Sequence, residues 1–225
     1  MRYAVVCIGT SWGGLNALRQ VVRALGGDFT LPVIIVQHRH RDSSDLLAGL
    51  LQECTTLPIA EVEDKLPIEP GRIYLAPPDY HLLIDDDAFS LSLDAPVRFS
   101  RPSIDVTFHS AAHAYGRRTI GVVLTGANAD GADGLRRIVD VGGVGIVQDP
   151  TTAESRTMPD AALLEVPEAH VVALNGIAAH LRELAAQDLP APVPRAKAPG
   201  PVGPLRRGTP GDPPAPAPNT GPEAR

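Results

Sequence analysis

Three side chains suited to acyl transfer follow three separate apolar runs of the sequence. Ser11 comes directly after "VVCIGT", His38 directly after "VIIVQ", and Asp130 a few residues after "TIGVVL". A serine hydroxyl can act as a nucleophile, an imidazole as its base, and a carboxylate as the group that orients the imidazole. If the fold brings them together, these residues predict the chemistry of a serine hydrolase.

A glycine-rich corner surrounds Ser11. In "GTSWGG", residues 9–14, the glycines permit a sharp turn from a strand into a helix, which would expose the Ser11 hydroxyl. On this segment alone the hydroxyl could be a nucleophile, the N-cap of the helix, or both. G-x-S-x-G is also the nucleophile elbow of α/β-hydrolases, but their order is Ser, Asp or Glu, His, whereas here it is Ser, His, Asp. A dinucleotide fingerprint fits poorly, because Ser11 stands where G-x-G-x-x-G requires its second glycine.

The elements that must position these residues alternate between strands and helices. Strand-like runs are "YAVVCIG", "PVIIVQH", "RIYLAP", "TIGVVLTG" and "GGVGIVQD", and helical patterns lie near 13–25, 42–54, 104–115, 130–141, 159–164 and 174–186. Near-continuous apolar strands separated by helices predict an α/β fold with a doubly wound, mostly parallel sheet and helices on both faces. The alternating segment "HLLIDDDAFSLSL" predicts an antiparallel hairpin appended to it. Ser11, His38 and Asp130 then all lie beyond the carboxyl ends of strands, where such folds bind their ligands.

Composition and charge limit the classes of function. With 225 residues and 44% hydrophobic content, we expect one sizeable core, and the net charge of -6 argues against nucleic acid or an anionic membrane as partners. Two cysteines form no disulfide framework and indicate a reducing compartment. The short apolar stretch before Gly9 is no signal peptide or membrane span. We therefore expect a cytoplasmic protein.

A change of composition divides the chain. From Leu189 to Arg225 the residues are mainly Pro, Ala and Gly without apolar periodicity. Such a segment cannot bury enough apolar surface to offset its ordering entropy. We expect a catalytic domain over 1–188 and a disordered tail over 189–225.

Several ordered motifs resemble one known family. They are "IGTSWGG", "VIIVQH", "IYLAPPDYHLL", "SRPSIDVTFHSAAHAYG", "LTGANADGADG" and "VQDPTTAESRTMPDAAL". Together, over about Val5 to Leu164, they are similar to the catalytic domain of the CheB chemotaxis-receptor methylesterases. The resemblance implies hydrolysis of methyl esters on receptor glutamates, and deamidation of certain glutamines, without metal or cofactor.

The resemblance also implies roles for individual residues. Ser11 would be the nucleophile, His38 the general base and Asp130 the buried acid. By motif position, the backbone N–H groups of Trp12 and Ala127 would form the oxyanion hole.

Two further residues are candidates for substrate binding. His81 follows a strand end near the proposed cleft. Arg101 could face a carboxylate of the receptor, which is the expected protein partner, although a solvated arginine is the ordinary alternative. Because the substrate glutamates lie on receptor helices, we expect a shallow cleft.

Three positions depart from the family pattern. Trp12 follows the nucleophile where a small polar residue is usual, and His40 replaces a proline. Ala127-Asn128-Ala129 stands where the family usually has Met-Gly-x. If these changes weaken the chemistry, the alternative function is a signalling or scaffold module that keeps the fold.

A zinc site is the competing chemical interpretation. His38 and His40, with His109 and His113 spaced i, i+4, could supply ligands. No H-E-x-x-H arrangement supports it, so we predict no metal.

Control of the enzyme is the last expectation. Family members commonly carry an N-terminal receiver domain, and none is visible before the first strand of this sequence. We therefore expect constitutive activity or a separate regulator recruited through the tail over 189–225.

Overall fold

The computed structural model describes residues 2–39, 46–85 and 87–187. Within these ranges the strands are Val5–Thr10 (β1), Val33–Gln37 (β2), Ile59–Glu61 (β3), Ile73–Leu75 (β4), His81–Asp85 (β5), Ala88–Ser92 (β6), Thr119–Val123 (β7), Val144–Gln148 (β8) and His170–Val172 (β9). The α-helices are Gly14–Leu25 (α1), Leu46–Gln52 (α2), Ile104–Tyr115 (α3), Ala132–Asp140 (α4), Thr157–Glu165 (α5) and Ile177–Ala186 (α6).

Seven strands form one parallel sheet in the order β3-β4-β2-β1-β7-β8-β9. The chain winds outward from β1 through β2 to one edge, and later returns beside β1 with β7. The order therefore reverses between β1 and β7, and the loops after these strands open a crevice at that point. Ser11 follows β1, and Asp130 follows β7.

The two faces of the sheet are separate hydrophobic layers. Along β1, Val6 and Ile8 point to the layer covered by α1, α2 and α6, whereas Val5 and Cys7 point to the layer covered by α3, α4 and α5. This alternation follows from the period of two in a strand. Since both faces are covered, both positions are apolar, which explains the continuous apolar runs of the sequence.

The hairpin of β5 and β6 is a separate antiparallel sheet rather than an extension of the main one. It packs on α3, where Thr107 Oγ1 donates to the Leu82 carbonyl at 2.7 Å and Ser110 Oγ accepts from Ile84 N–H at 3.1 Å. The hairpin thus covers the outer side of the helix that begins beside Asp130.

The predicted fold class is confirmed. The sequence analysis missed β3 and β9, which are three-residue strands at the two sheet edges, too short and too exposed to give an apolar run. Part of the predicted helix 42–54 is present as α2, while 42–45 lies outside the described residues, as does the tail over 189–225. Among the described helices, none is both long and apolar enough to cross a membrane.

Candidate active site

The backbone around Ser11 is fixed by hydrogen bonds from three sides. Ser11 N–H donates to the Thr125 carbonyl at 3.0 Å, and the Ser11 carbonyl accepts from Gly14 N–H and from Gln37 Nε2, both at 2.9 Å. Gly13, at φ 77°, is the N-cap of α1 and no side chain caps the helix. Ser11 therefore does not cap α1, and its hydroxyl is left for another use.

Ser11 and His38 are neighbours across two strand ends. Thr10 pairs with Gln37 in the register of β1 and β2, and His38 N–H donates to the Thr10 carbonyl at 3.1 Å. Both residues line one cavity of about 430 Å³. Among the described residues, no hydrogen bond joins the Ser11 hydroxyl to the imidazole, so Ser11 is near its predicted base but does not bind it.

The link between His38 and Asp130 is formed. His38 Nε2 lies 2.7 Å from Asp130 Oδ2, and the Asp130 side chain is fully buried. The carboxylate also accepts from Ser103 Oγ at 2.9 Å and from the backbone N–H groups of Ile104 at 2.7 Å and Asp105 at 3.0 Å. Asp130 is thus both the partner of the imidazole and the acceptor for two N–H groups in the first turn of α3, whose N-cap is Ser103.

These contacts determine the charge of Asp130. Burial raises its pKa, but the hydrogen bonds from His38 and from the N–H groups of Asp105 and Ile104 outweigh burial and lower the pKa below its ordinary value. An ionised Asp130 can only accept a hydrogen bond, so His38 Nε2 carries the ring proton and donates it to Asp130 Oδ2, which leaves Nδ1 as the unprotonated nitrogen of the ring.

Asp105 is a residue of the site that the sequence analysis missed. Its Oδ1 accepts from Gly131 N–H and Gly134 N–H, both at 2.8 Å, at the start of α4. Burial raises its pKa, backbone donation from Gly134 opposes this, and the charge of Asp130 raises it further. Its position in the first turn of α3 is the only sequence signal that could have suggested a helix-terminus role.

The predicted oxyanion donors lie beside the nucleophile. Trp12 and Ala127 line the same cavity as Ser11, and neither backbone N–H donates to another residue of the described chain. Between them, a Cβ added at Gly126 would lie 3.0 Å from Ser11 Cβ and would collide with Met158. Glycine at this position therefore lets the loop after β7 approach Ser11.

Comparison with known proteins identifies the family of the chain. The family model described as CheB methylesterase matches residues 6–181. The chain belongs to the CheB methylesterase family.

Relatives of known sequence and structure support that assignment. A curated relative from Leptospira interrogans is 44% identical over 179 residues, covering 79% of this chain and 93% of that protein. The "Protein-glutamate methylesterase/protein-glutamine glutaminase 2" of Anaeromyxobacter dehalogenans is 40% identical, covering 81% of this chain and 54% of that protein. The crystal structure of the Thermotoga maritima CheB methylesterase catalytic domain superposes with a TM-score of 0.78 at 31% identity, covering 82% of this chain and all of that one. The family, the fold and the methylesterase class predicted from the sequence are confirmed.

Within this CheB fold, His81 is buried and both of its ring nitrogens contact backbone groups. The residue is 2% exposed, its Nδ1 accepts from Ser103 N–H at 3.2 Å, and its Nε2 lies 3.1 Å from the Ala95 carbonyl. Both ring nitrogens are therefore used by the backbone. A substrate-binding role of His81 stays a prediction, and in the structure the ring fastens the start of α3 to the loop after β6.

Arg101 lines a second cavity of about 500 Å³ together with His38. Its Nε and Nη2 donate to Asp79 Oδ1 at 3.1 and 2.7 Å, and its Nη1 donates to the Leu93 and Asp94 carbonyls. All three nitrogens thus have partners inside the protein. A role of Arg101 in substrate binding stays a prediction, and its present contacts hold the cavity wall together.

Arg39 is a second missed residue, buried in the wall of that cavity. Its Nη2 donates to Glu61 Oε2 at 3.1 Å and to the Ala76 carbonyl at 2.7 Å, while Nε and Nη1 have no partner within the part of the chain that the structure describes. The sequence signal that could have indicated Arg39 is its position directly after His38, the predicted base.

The histidines of the zinc alternative are not gathered. His109 Nε2 pairs with Asp133 Oδ2 at 2.7 Å on the surface, away from the Ser11 cavity, and His40 lies outside the described residues. In residues 2–39, 46–85 and 87–187, no three His, Cys, Asp or Glu side chains are grouped to hold a metal ion.

Proposed function

We propose that this CheB-family chain hydrolyses methyl esters on glutamate side chains of methyl-accepting chemotaxis receptors, with Ser11 as the nucleophile. The observation that carries the proposal is the 2.7 Å contact between His38 Nε2 and the buried, ionised Asp130, because it leaves Nδ1 without a proton on a ring that lines the same cavity as Ser11. The names of the curated relatives support the substrate class.

The first half of the reaction forms an acyl-enzyme. Ser11 Oγ attacks the ester carbonyl carbon while its proton moves to His38 Nδ1, and the N–H groups of Trp12 and Ala127 donate to the developing oxyanion. The tetrahedral intermediate collapses as the bond to the methoxy oxygen breaks. His38 returns the proton to that oxygen, and methanol leaves.

Water completes the cycle. It attacks the acyl carbon, gives a proton to His38 Nδ1, and the bond to Ser11 Oγ breaks as Ser11 regains that proton. The product is the receptor glutamate. Deamidation of glutamine would follow the same course with ammonia as the leaving group, and we expect it to be much slower because methoxide leaves more readily than an amide nitrogen.

The setting of the activity is also part of the proposal. Cys7 and Cys54 are both free thiols, which supports a reducing compartment and hence the cytoplasm. We further propose that the tail over 189–225 recruits a separate regulator. Deleting the tail would leave localisation and receptor demethylation unchanged if that idea is wrong.

Methanol release from a methylated receptor tests the activity. The native chain should release methanol, and Ser11→Ala should release none above background while retaining its thermal unfolding temperature. Receptor binding by the native chain without methanol release would favour the scaffold function instead.

A further inference from the structure

Asn128 touches two members of the site with the two ends of its side-chain amide. Its Oδ1 accepts from Asp130 N–H at 3.1 Å, and its Nδ2 lies 3.3 Å from His38 Nδ1. Asn128 is therefore bound to the backbone of the acid and to the ring of the base.

These contacts are consistent with only one arrangement of protons. Asp130 N–H requires an acceptor, which fixes Oδ1 towards Asp130 and turns the NH₂ group towards His38. An NH₂ group can only donate, so Nδ1 must be the unprotonated nitrogen. The ionised Asp130 requires the same tautomer from the other side, because its Oδ2 accepts from Nε2.

We propose that Asn128 is a positioning residue that holds His38 in the tautomer with its basic lone pair on Nδ1. This inference rests on the proposed function, since a basic Nδ1 matters only if His38 accepts the proton of Ser11. The amide also stabilises the neutral ring, because a protonated Nδ1 would confront the NH₂ group with a second donor.

The two bonds to the ring differ in length, and this difference suits a base that must change partners. The contact with Asp130 is 2.7 Å, whereas the contact with Asn128, at 3.3 Å, lies beyond the usual range of 2.7–3.2 Å. Asn128 can therefore yield Nδ1 to the Ser11 hydroxyl at small cost while Asp130 keeps hold of Nε2. This accounts for the absence of a Ser11–His38 hydrogen bond among the described residues.

The competing explanation is that Asn128 only braces the loop through Asp130 N–H. Asn128→Asp separates the positioning role from the bracing role. The aspartate keeps an oxygen for Asp130 N–H but offers His38 an acceptor in place of a donor. Asn128→Ala removes both contacts. Ala129→Asp is the matched control, since it adds the same charge at the adjacent residue of the loop.

Two measurements test the proposal on the full chain. In ¹⁵N NMR, with the His38 signals assigned by their loss in His38→Gln, native Nδ1 should be unprotonated and Nε2 protonated. Asn128→Ala should add a measurable minor population with the proton on Nδ1, because Asp130 still holds Nε2 in most molecules. In methanol release, the acidic limb of kcat/KM against pH should move up by about half a unit in Asn128→Ala. It should move up by at least about one unit in Asn128→Asp, and by much less in Ala129→Asp.

Several outcomes would overturn the inference. A protonated Nδ1 in the native chain, an unchanged tautomer in Asn128→Ala, or a native pH profile in Asn128→Asp would each leave Asn128 as a brace only. Equal shifts in Asn128→Asp and Ala129→Asp would indicate a charge effect without the hydrogen bond. The NMR result does not depend on turnover, so failure of the native chain to release methanol would contradict the proposed function separately.

Discussion

Asp105 and Asp130 each accept hydrogen bonds from backbone N–H groups at the start of the helix beside the other residue. Asp130 binds the N–H groups at the start of α3, where Asp105 lies, and Asp105 binds Gly131 N–H and Gly134 N–H at the start of α4, directly after Asp130. The carboxylate predicted to orient His38 is therefore fixed by the packing of two helices. The hydrogen bonds that stabilise the starts of α3 and α4 therefore also hold Asp130 in position beside His38.

Asp130→Asn should impair both activity and stability. An amide in place of the carboxylate cannot accept all four of its donors and favours the wrong imidazole tautomer. By analogy with the corresponding change in trypsin-like triads, kcat for methanol release should fall about 10⁴-fold. The free energy of unfolding should fall by about 1–3 kcal/mol.

A surface aspartate provides the control for this substitution. Asp133 pairs with His109 on the exposed side of α4, and Asp133→Asn should change the unfolding free energy by less than about 0.5 kcal/mol. Native turnover by Asp130→Asn would remove Asp130 from the mechanism.

The stability of the protein should depend on pH in opposite ways through the two aspartates. The pKa of Asp130 is lowered in the folded state, so its ionised form adds stability that is present above its ordinary value of 3.8 and is lost as pH falls through the folded value. The pKa of Asp105 is raised, mainly by burial, so the folded state regains stability when that carboxyl takes up a proton.

Denaturant titrations from pH 6 to pH 3 measure both effects. The advantage of the native chain over Asp130→Asn should shrink as the pH falls. Over the same range, the free energy of unfolding of the native chain should rise relative to that of Asp105→Asn. A pH-independent difference for Asp130→Asn would show that the carboxylate gains nothing from ionisation.

Phe99 should contribute to binding of a protein substrate. It is fully exposed at the rim of the cavity that His38 and Arg101 line, in a turn where Arg98 and Phe99 both have positive φ. Exposed aromatic anchors contribute strongly to protein interfaces. Phe99→Ala should raise KM for the methylated receptor about 5- to 10-fold, corresponding to about 1–1.4 kcal/mol.

The design of this measurement separates docking from chemistry. Hydrolysis of a small glutamate γ-methyl ester should be unchanged in Phe99→Ala, because Phe99 lies outside the predicted catalytic contacts. Leu164 is an exposed apolar residue on α5, away from this cavity. Leu164→Ala should therefore leave the hydrolysis of both substrates unchanged. Equal losses for both substrates, or an unchanged KM for the receptor, would contradict the docking role.

The sequence predicted the central strands and the residues at their ends because buried parallel strands are apolar at every position. Ser11, His38 and Asp130 could be chosen on that basis before any resemblance was considered. The edge strands β3 and β9 could not be predicted, since half-exposed strands of three residues carry no continuous apolar run.

The contacts at the site that the sequence did not predict have a different physical origin. His81, Asn128 and Asp105 each contact at least one partner that lies 14 to 90 positions away in the chain, and nothing local to the sequence predicts such pairs. For His81 the sequence indicated a place near the cleft, but not that backbone groups would occupy both ring nitrogens. Asn128 was visible only as a departure from the family motif.

Labelling with a serine-directed fluorophosphonate tests the central claim most directly, because it reports the nucleophile without requiring the receptor. Peptide mapping by mass spectrometry should find one adduct, on Ser11, in the native chain. The labelling rate should fall at least about 100-fold in His38→Ala, since the base would be missing. An adduct on another residue, or no adduct on a folded native chain, would contradict the account.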